Sequence, residues 1–205
     1  WSSDGKQIAF CSNRHGNMDI FVMNAGGSED RRLTSHRAND FAPTWSPDGK
    51  QIAFTSPRES GNAFVMNADG TEESSLIVRG RPVAWSSDGQ SLLLENDGQL
   101  VLSDADGRNQ KELTKAGTPA LGGEYAPDGK TVFYRSKANG VSTLMSVDTE
   151  RSTQKRIWSD SGKFLGFSVS PSRVSLAKDS VSLSTANTNL TEFGNAYRKS
   201  EMLYD

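Results

Sequence analysis

Trp45-Ser46-Pro47-Asp48-Gly49-Lys50-Gln51-Ile52-Ala53-Phe54 decides how this chain is read, because the chain says it again and again. Trp1-Ser2-Ser3-Asp4-Gly5-Lys6-Gln7-Ile8-Ala9-Phe10 is nearly the same ten residues. Trp85-Ser86-Ser87-Asp88-Gly89-Gln90 opens a third copy and Tyr125-Ala126-Pro127-Asp128-Gly129-Lys130 a fourth. Val169-Ser170-Pro171-Ser172-Arg173 is a worn fifth. Successive copies begin 44, 40, 40 and 44 residues apart. A fixed period near 40 residues marks an array of supersecondary units that bury their faces on one another.

Within a unit, turn signals separate short runs of β-forming residues. Asp4-Gly5 and its equivalents are tight-turn dipeptides between two such runs. Gln7 to Ser12 alternates as a strand does, with Ile8 and Phe10 on one face and Ala9 and Cys11 on the other. Asp19-Ile20-Phe21-Val22-Met23 is apolar on both faces, as a strand sandwiched between sheets must be. Asn24-Ala25-Gly26-Gly27 turns the chain, and Arg31-Arg32-Leu33-Thr34 is polar enough for a sheet edge. Four short strands in about 40 residues, with no helical periodicity in the first four repeats, predict an all-β fold. It is a β-propeller of four-stranded antiparallel blades, with about 4.5–5 blades in this chain. The units run over 1–44, 45–84, 85–124, 125–168 and 169–193, followed by a charged tail, 194–205.

Trp1 already stands inside a unit, so the sequence reads as part of a longer chain in which any targeting segment would be invisible. The expected ring is incomplete at that point. Either the segment after Asn187 or the tail from Tyr197 to Tyr204 supplies a closing strand, or the chain is an open arc. The arc is the favoured reading, and an arc exposing apolar blade faces would self-associate.

The bulk numbers exclude more than they assign. A net charge of −2 leaves no electrostatic footprint for nucleic acid. No apolar run approaches the ~18 residues of a membrane-spanning helix. Cys11 is the single cysteine, so no disulfide forms within the chain.

The pattern Trp-Ser-Pro-Asp-Gly-Lys-x-Ile-Ala-Phe, then Ile-Phe-Val-Met-Asn-Ala, then Arg-Leu-Thr resembles the WD40-like β-propeller repeat of the TolB type. The resemblance covers residues 1 to about 193 and is strongest in the first two units. It implies a bacterial, periplasmic binding module that holds a protein or peptide partner through blade loops or the central channel. Two alternatives stand behind that leading reading. One is the gating propeller of a prolyl-oligopeptidase-type serine peptidase without its hydrolase domain, and the other is the sensor propeller of a bacterial kinase or winged-helix regulator.

Individual residues are expected to serve the fold rather than chemistry. Trp1, Trp45 and Trp85, with Tyr125 in the same register, read as seam residues between blades. Trp158 is off that register and is expected nearer the surface. In Asp4-Gly5, Asp48-Gly49, Asp88-Gly89 and Asp128-Gly129 the Asp accepts hydrogen bonds from its own turn and Gly supplies positive φ. One Asp per unit does not converge the ~6–8 oxygens that calcium takes. His15 and His36 read as solvated turn residues, Cys11 as a small buried one, and Arg14 and Arg58 as loop charge. No Gly-x-Ser-x-Gly elbow and no phosphate-cradling loop occurs. The sequence therefore predicts no catalytic, cofactor-binding or metal-ligating residue.

Overall fold

The computed structural model describes residues 1–58, 63–115, 117, 119–160, 164–170, 173–178 and 181–184. Every regular element among them is a strand. The first repeat supplies β1 (Gln7–Ser12), β2 (Asp19–Asn24) and β3 (Arg31–Arg32). The second supplies β4 (Phe41–Trp45), β5 (Gln51–Thr55), β6 (Ala63–Asn67) and β7 (Ser74–Ser75). The third supplies β8 (Arg81–Trp85), β9 (Ser91–Asn96), β10 (Gln99–Asp104) and β11 (Lys111–Glu112). The fourth supplies β12 (Ala120–Tyr125), β13 (Thr131–Ala138), β14 (Val141–Asp148) and β15 (Gln154–Asp160). The fifth supplies β16 (Phe164–Ser170), β17 (Arg173–Lys178) and β18 (Val181–Ser184).

Each repeat is one antiparallel meander. Sheets two, three and four are four-stranded in sequence order, and the described strands of sheets one and five are β1-β2-β3 and β16-β17-β18. The proposed closing strand, from residue 187 or from the tail, lies outside the described residues. The first strand of each later repeat is bulged against its neighbour, between Phe41 and Thr44, Pro82 and Ala84, Leu121 and Glu124, and Phe164 and Gly166. Ala42 (φ 51°) and Gly122 (φ 61°) occupy the same repeat position inside that bulge.

The chain divides into two compact units, Trp1–Glu112 and Leu113–Asp205. In the first, adjoining sheets meet in a polarised way. Ile52, Phe54, Phe64 and Met66, on the back of sheet two, pack with Trp45 against Ile20 and Val22 of sheet one. Ala53, Ala63 and Val65, on the front of sheet two, receive Trp85, Leu92 and Leu94 of sheet three. Bulky backs thus seat on small-residue fronts, which lets neighbouring strands approach without voids. In the second unit Phe133, Leu144 and Trp158 form the front core of sheet four, with Phe167 and Val169 of sheet five against it.

Several sequence expectations are corrected here. Trp1 is 72% exposed, whereas Trp45 and Trp85 are 9% and 8% exposed. A tryptophan in this register packs on the preceding sheet, and this sequence holds no sheet ahead of Trp1. Trp158, expected near the surface, is 7% exposed. It pairs with Leu144 on β14 and fills the front core, the role Leu76 plays beside Ala63. Cys11 is half-buried rather than buried. Arg58 is not solvated loop charge, because only 11% of its side chain is exposed. Its guanidinium lies over Phe64 (4.5 Å) and Phe54 (5.6 Å), and Arg14 covers Phe21 (4.4 Å) and Phe10 (5.5 Å) in the same way.

Candidate functional site

In each of the first four repeats the Asp-Gly turn leads directly into a strand (β1, β5, β9 or β13), and its geometry is nearly identical in the first three copies. In the second repeat the Ser46 hydroxyl donates to Asp48 Oδ1 (2.6 Å) and accepts from the Gln51 N–H (2.9 Å). The Lys50 N–H donates to the same Asp48 oxygen (3.0 Å), and the Gly49 N–H closes the turn on the Ser46 carbonyl (3.0 Å). Ser2, Asp4, Lys6 and Gln7 repeat this set, as do Ser86, Asp88, Gln90 and Ser91. The fourth turn carries Ala126 where the others carry serine. There the Thr131 hydroxyl donates to Asp128 Oδ2 (2.8 Å), and the Lys130 and Thr131 N–H groups donate to Oδ1. A lost donor before the aspartate is replaced by one after it.

These bonds set the charge. The serine hydroxyl, then the backbone N–H, holds Asp4, Asp48 and Asp88 below the usual carboxylate value. At Asp128 burial alone pushes upward, but the three donors outweigh it and the carboxyl is again lowered. Gly5, Gly49, Gly89 and Gly129 have φ between 67° and 71°, the left-handed conformation the turn requires. The other hairpin turn of each repeat is tied to the Asp-Gly turn, since the Ala25, Ala68 and Ala105 N–H groups donate to the carbonyls of Lys6, Lys50 and Gln90.

Successive turns in the first unit are stacked, with Ser3 beside Gly49 and Pro47 beside Gly89. Between the second and third lies a cleft of about 280 Å³ lined by Ser46, Pro47, Asp48, Trp85, Asp88 and Gln90, among others. Lys6 and Lys50 each stand near the aspartate of their own turn, at 3.7 and 3.8 Å. Gln90 takes that position in the third turn and brings no charge. The cleft therefore presents ionised acceptors beside an aromatic floor. Among the described residues no group of three or more His, Cys, Asp or Glu side chains is placed to hold a metal ion.

The opposite end of the strands is strapped rather than open. Asn17 Nδ2 donates to the carbonyls of His36 and Ala38, and the Met18 N–H to Asn39 Oδ1. His36 lies in this loop, partly buried, and its Nδ1 accepts from the Ala38 N–H (3.0 Å). His15 is exposed and stacks on Phe21. Asp40, fully buried, faces Arg58 Nη2 at 3.3 Å from both of its oxygens, and Glu73 holds the same guanidinium at 2.6 Å. Sequence reasoning missed this ion pair. Its signal was the recurrence of an arginine after Ser12 and Ser56, each opposite a phenylalanine pair.

Four-stranded meanders repeating every 40-odd residues, with neighbouring sheets inside each compact unit packed face to face, define a β-propeller. The model of the TolB β-propeller domain matches residues 1–173, and the chain belongs to that family. It resembles the solved putative TolB of Agrobacterium tumefaciens at 19% identity and TM-score 0.69, covering 77% of this chain and 63% of that one. It resembles TolB of Acinetobacter baumannii at 21% identity and TM-score 0.69, covering 87% of this chain and 49% of that one. The "Uncharacterized peptidase YuxL" of Bacillus subtilis is 28% identical over 139 residues, which is 65% of this chain and 20% of the relative. The chain thus spans about a fifth of that curated relative's length.

Proposed function

We propose that this chain is a non-catalytic binding module that holds a protein or peptide partner at the end bearing the Asp-Gly turns. The cleft between the second and third turns carries the reading. Asp48 and Asp88 line it in ionised form, and Gln90 stands where the first two turns bring a lysine to their aspartate. A lysine or arginine side chain of a partner supplies the missing charge, with Trp85 beneath it. Selection of displayed peptides on the full chain tests this. Lys- or Arg-containing sequences are expected to be enriched, and Asp88→Asn to reduce their retention. Enrichment without basic residues, or retention indifferent to Asp88→Asn, sinks the reading. A periplasmic location rests on the likeness to TolB and is checked by fractionating cells that express the full-length protein.

A second reading is favoured by the likeness to the protein named as a peptidase. On it, the chain is the propeller of a serine peptidase whose hydrolase domain lies elsewhere in the gene. Reading the coding sequence on both sides decides. A downstream hydrolase with a Gly-x-Ser-x-Gly elbow supports the peptidase, and an upstream kinase or winged helix supports a sensor.

A further inference from the structure

Each turn aspartate spends its Oδ1 on its own turn, Asp4, Asp48, Asp88 and Asp128 alike. The fate of Oδ2 differs. Asp4 Oδ2 has the Lys6 ammonium at 3.7 Å, and Asp48 Oδ2 has the Lys50 ammonium at 3.8 Å. Asp128 Oδ2 takes the Thr131 hydroxyl (2.8 Å), while the Lys130 ammonium pairs with Glu150 (3.0 Å). Both bonds to Asp88 end on Oδ1, and among the described residues its Oδ2 has neither a donor nor a cation.

That difference lies in one side chain. Lys6, Lys50 and Gln90 hold the same place in their turns. Each backbone N–H donates to its own aspartate, and each carbonyl accepts from the neighbouring hairpin turn. Only the head group changes, from an ammonium to an uncharged amide. Gln90 is exposed, so packing does not demand a glutamine there. The cleft brings both kinds of turn together, since Asp48, beside its lysine, and Asp88, without one, line it with Trp85.

We propose that this repeat position sets the selectivity of the cleft. A lysine there occupies the free oxygen of its own aspartate, whereas Gln90 leaves Asp88 Oδ2 open to a cation from a partner. The inference rests on the reading of the cleft as a receptor for a basic side chain, and it names Asp88 as the carboxylate that such a side chain engages. A tethered ammonium competes with the incoming one for the same acceptor. Exposed pairs of this kind are weak, so the competitor lowers affinity by a small factor instead of abolishing binding.

NMR titration of the full chain with the tripeptide Gly-Arg-Gly, blocked at both termini, tests this at low ionic strength, read at the Trp85 indole N–H and the Gly89 amide. Gln90→Lys is expected to weaken binding at least about threefold. Lys50→Gln frees Asp48 Oδ2 in the same cleft and is expected to tighten binding by a similar factor. Lys6→Gln makes the same change of net charge beside Asp4, which is not among the lining residues, and is expected to leave affinity unchanged. Binding by Gln90→Lys equal to that of the wild type, or equal effects of Lys6→Gln and Lys50→Gln, overturns the proposal and leaves the receptor reading standing. No shift at either reporter in the wild type and in Lys50→Gln overturns the receptor reading and the proposal with it. Should Gln90→Lys fail to fold, Lys50→Gln against Lys6→Gln decides alone.

Discussion

One hydroxyl on Ser46 serves two partners, the Asp48 carboxylate and the Gln51 N–H, while 97% of the residue is out of solvent. Ser46→Ala removes a donor and an acceptor together and is expected to cost about 1–2 kcal/mol, read by chemical denaturation. The pH dependence has a definite sign. Asp4, Asp48 and Asp88 are held low in the fold, so their contribution is present above the ordinary carboxylate value and is lost as pH falls through the folded one. Stability is therefore expected to decline below about pH 4, with a shallower decline in Ser46→Ala. Ile77 marks a residue-scale fault. Thr34, its equivalent in repeat one, is buried and accepts the Ile20 N–H (2.9 Å), whereas Ile77 offers no oxygen and is 71% exposed. Ile77→Thr is expected to raise stability by about 0.5–1 kcal/mol. The two tryptophans also differ. Trp85 donates to Thr44, while Trp45 Nε1 has no partner among the described residues. Trp85→Phe should thus cost more than Trp45→Phe by about 1 kcal/mol, and equal losses would show the indole bond to be idle.

At the scale of the element, the hairpin of β5 and β6 is closed by Arg58, which joins an aromatic pair, a buried carboxylate and an outer-strand acid. Arg58→Ala leaves Asp40 buried without its cation and is expected to cost about 3–5 kcal/mol. Adding Asp40→Asn should return a large part of that loss, and a double mutant no better than the single would refute the pairing. The hairpin of β13 and β14 replaces this device. The Tyr134 hydroxyl donates to Gln154 Oε1 (2.6 Å), and burial pushes the phenol up to about 12. Gln154 and Glu73 occupy equivalent places, each just before an outer strand or at its start. The strands themselves were legible because turn dipeptides and β-branched runs act locally. Arg58 was not, because its partners come from other turns: Asp40 lies 18 residues before it and Glu73 15 residues after. The outer strands proved shorter than read, two residues at β3, β7 and β11, since a polar edge needs few ladder bonds.

Across each compact unit, the turn motif in register was enough to recover the repeat, and Trp45 and Trp85 lie in the two apolar clusters of the first unit. The cleft was hidden, since it depends on how one turn stacks on the next and on one lysine-to-glutamine change. The misplacing of Trp158 has a similar origin. Its spacing departs from the other tryptophans, and only the register shift between Leu144 and Met145 carries it into the place of a leucine. Close stacking is also testable. Gly107 has φ 85°, and a Cβ there would stand 2.9 Å from the Ile77 backbone nitrogen, whereas one at Gly5 would meet nothing within 4 Å. Both substitutions by alanine strain the backbone, but Gly107→Ala should lower the unfolding free energy, read by chemical denaturation, more than Gly5→Ala by about 1–3 kcal/mol.

The bulky back and small-residue front of sheet two are different surfaces on one 40-residue segment. Such a junction is head-to-tail, so copies can be added until the rotation from one to the next closes a ring. A gene segment encoding residues 45–84, copied in tandem, would carry both halves of the junction with it. Every copy would arrive with a mate for its neighbour and need no compensating change elsewhere. The asymmetry of a single seam is thus sufficient to let such an array lengthen by unequal recombination, and it accounts for the near-verbatim echo between Trp1–Phe10 and Trp45–Phe54.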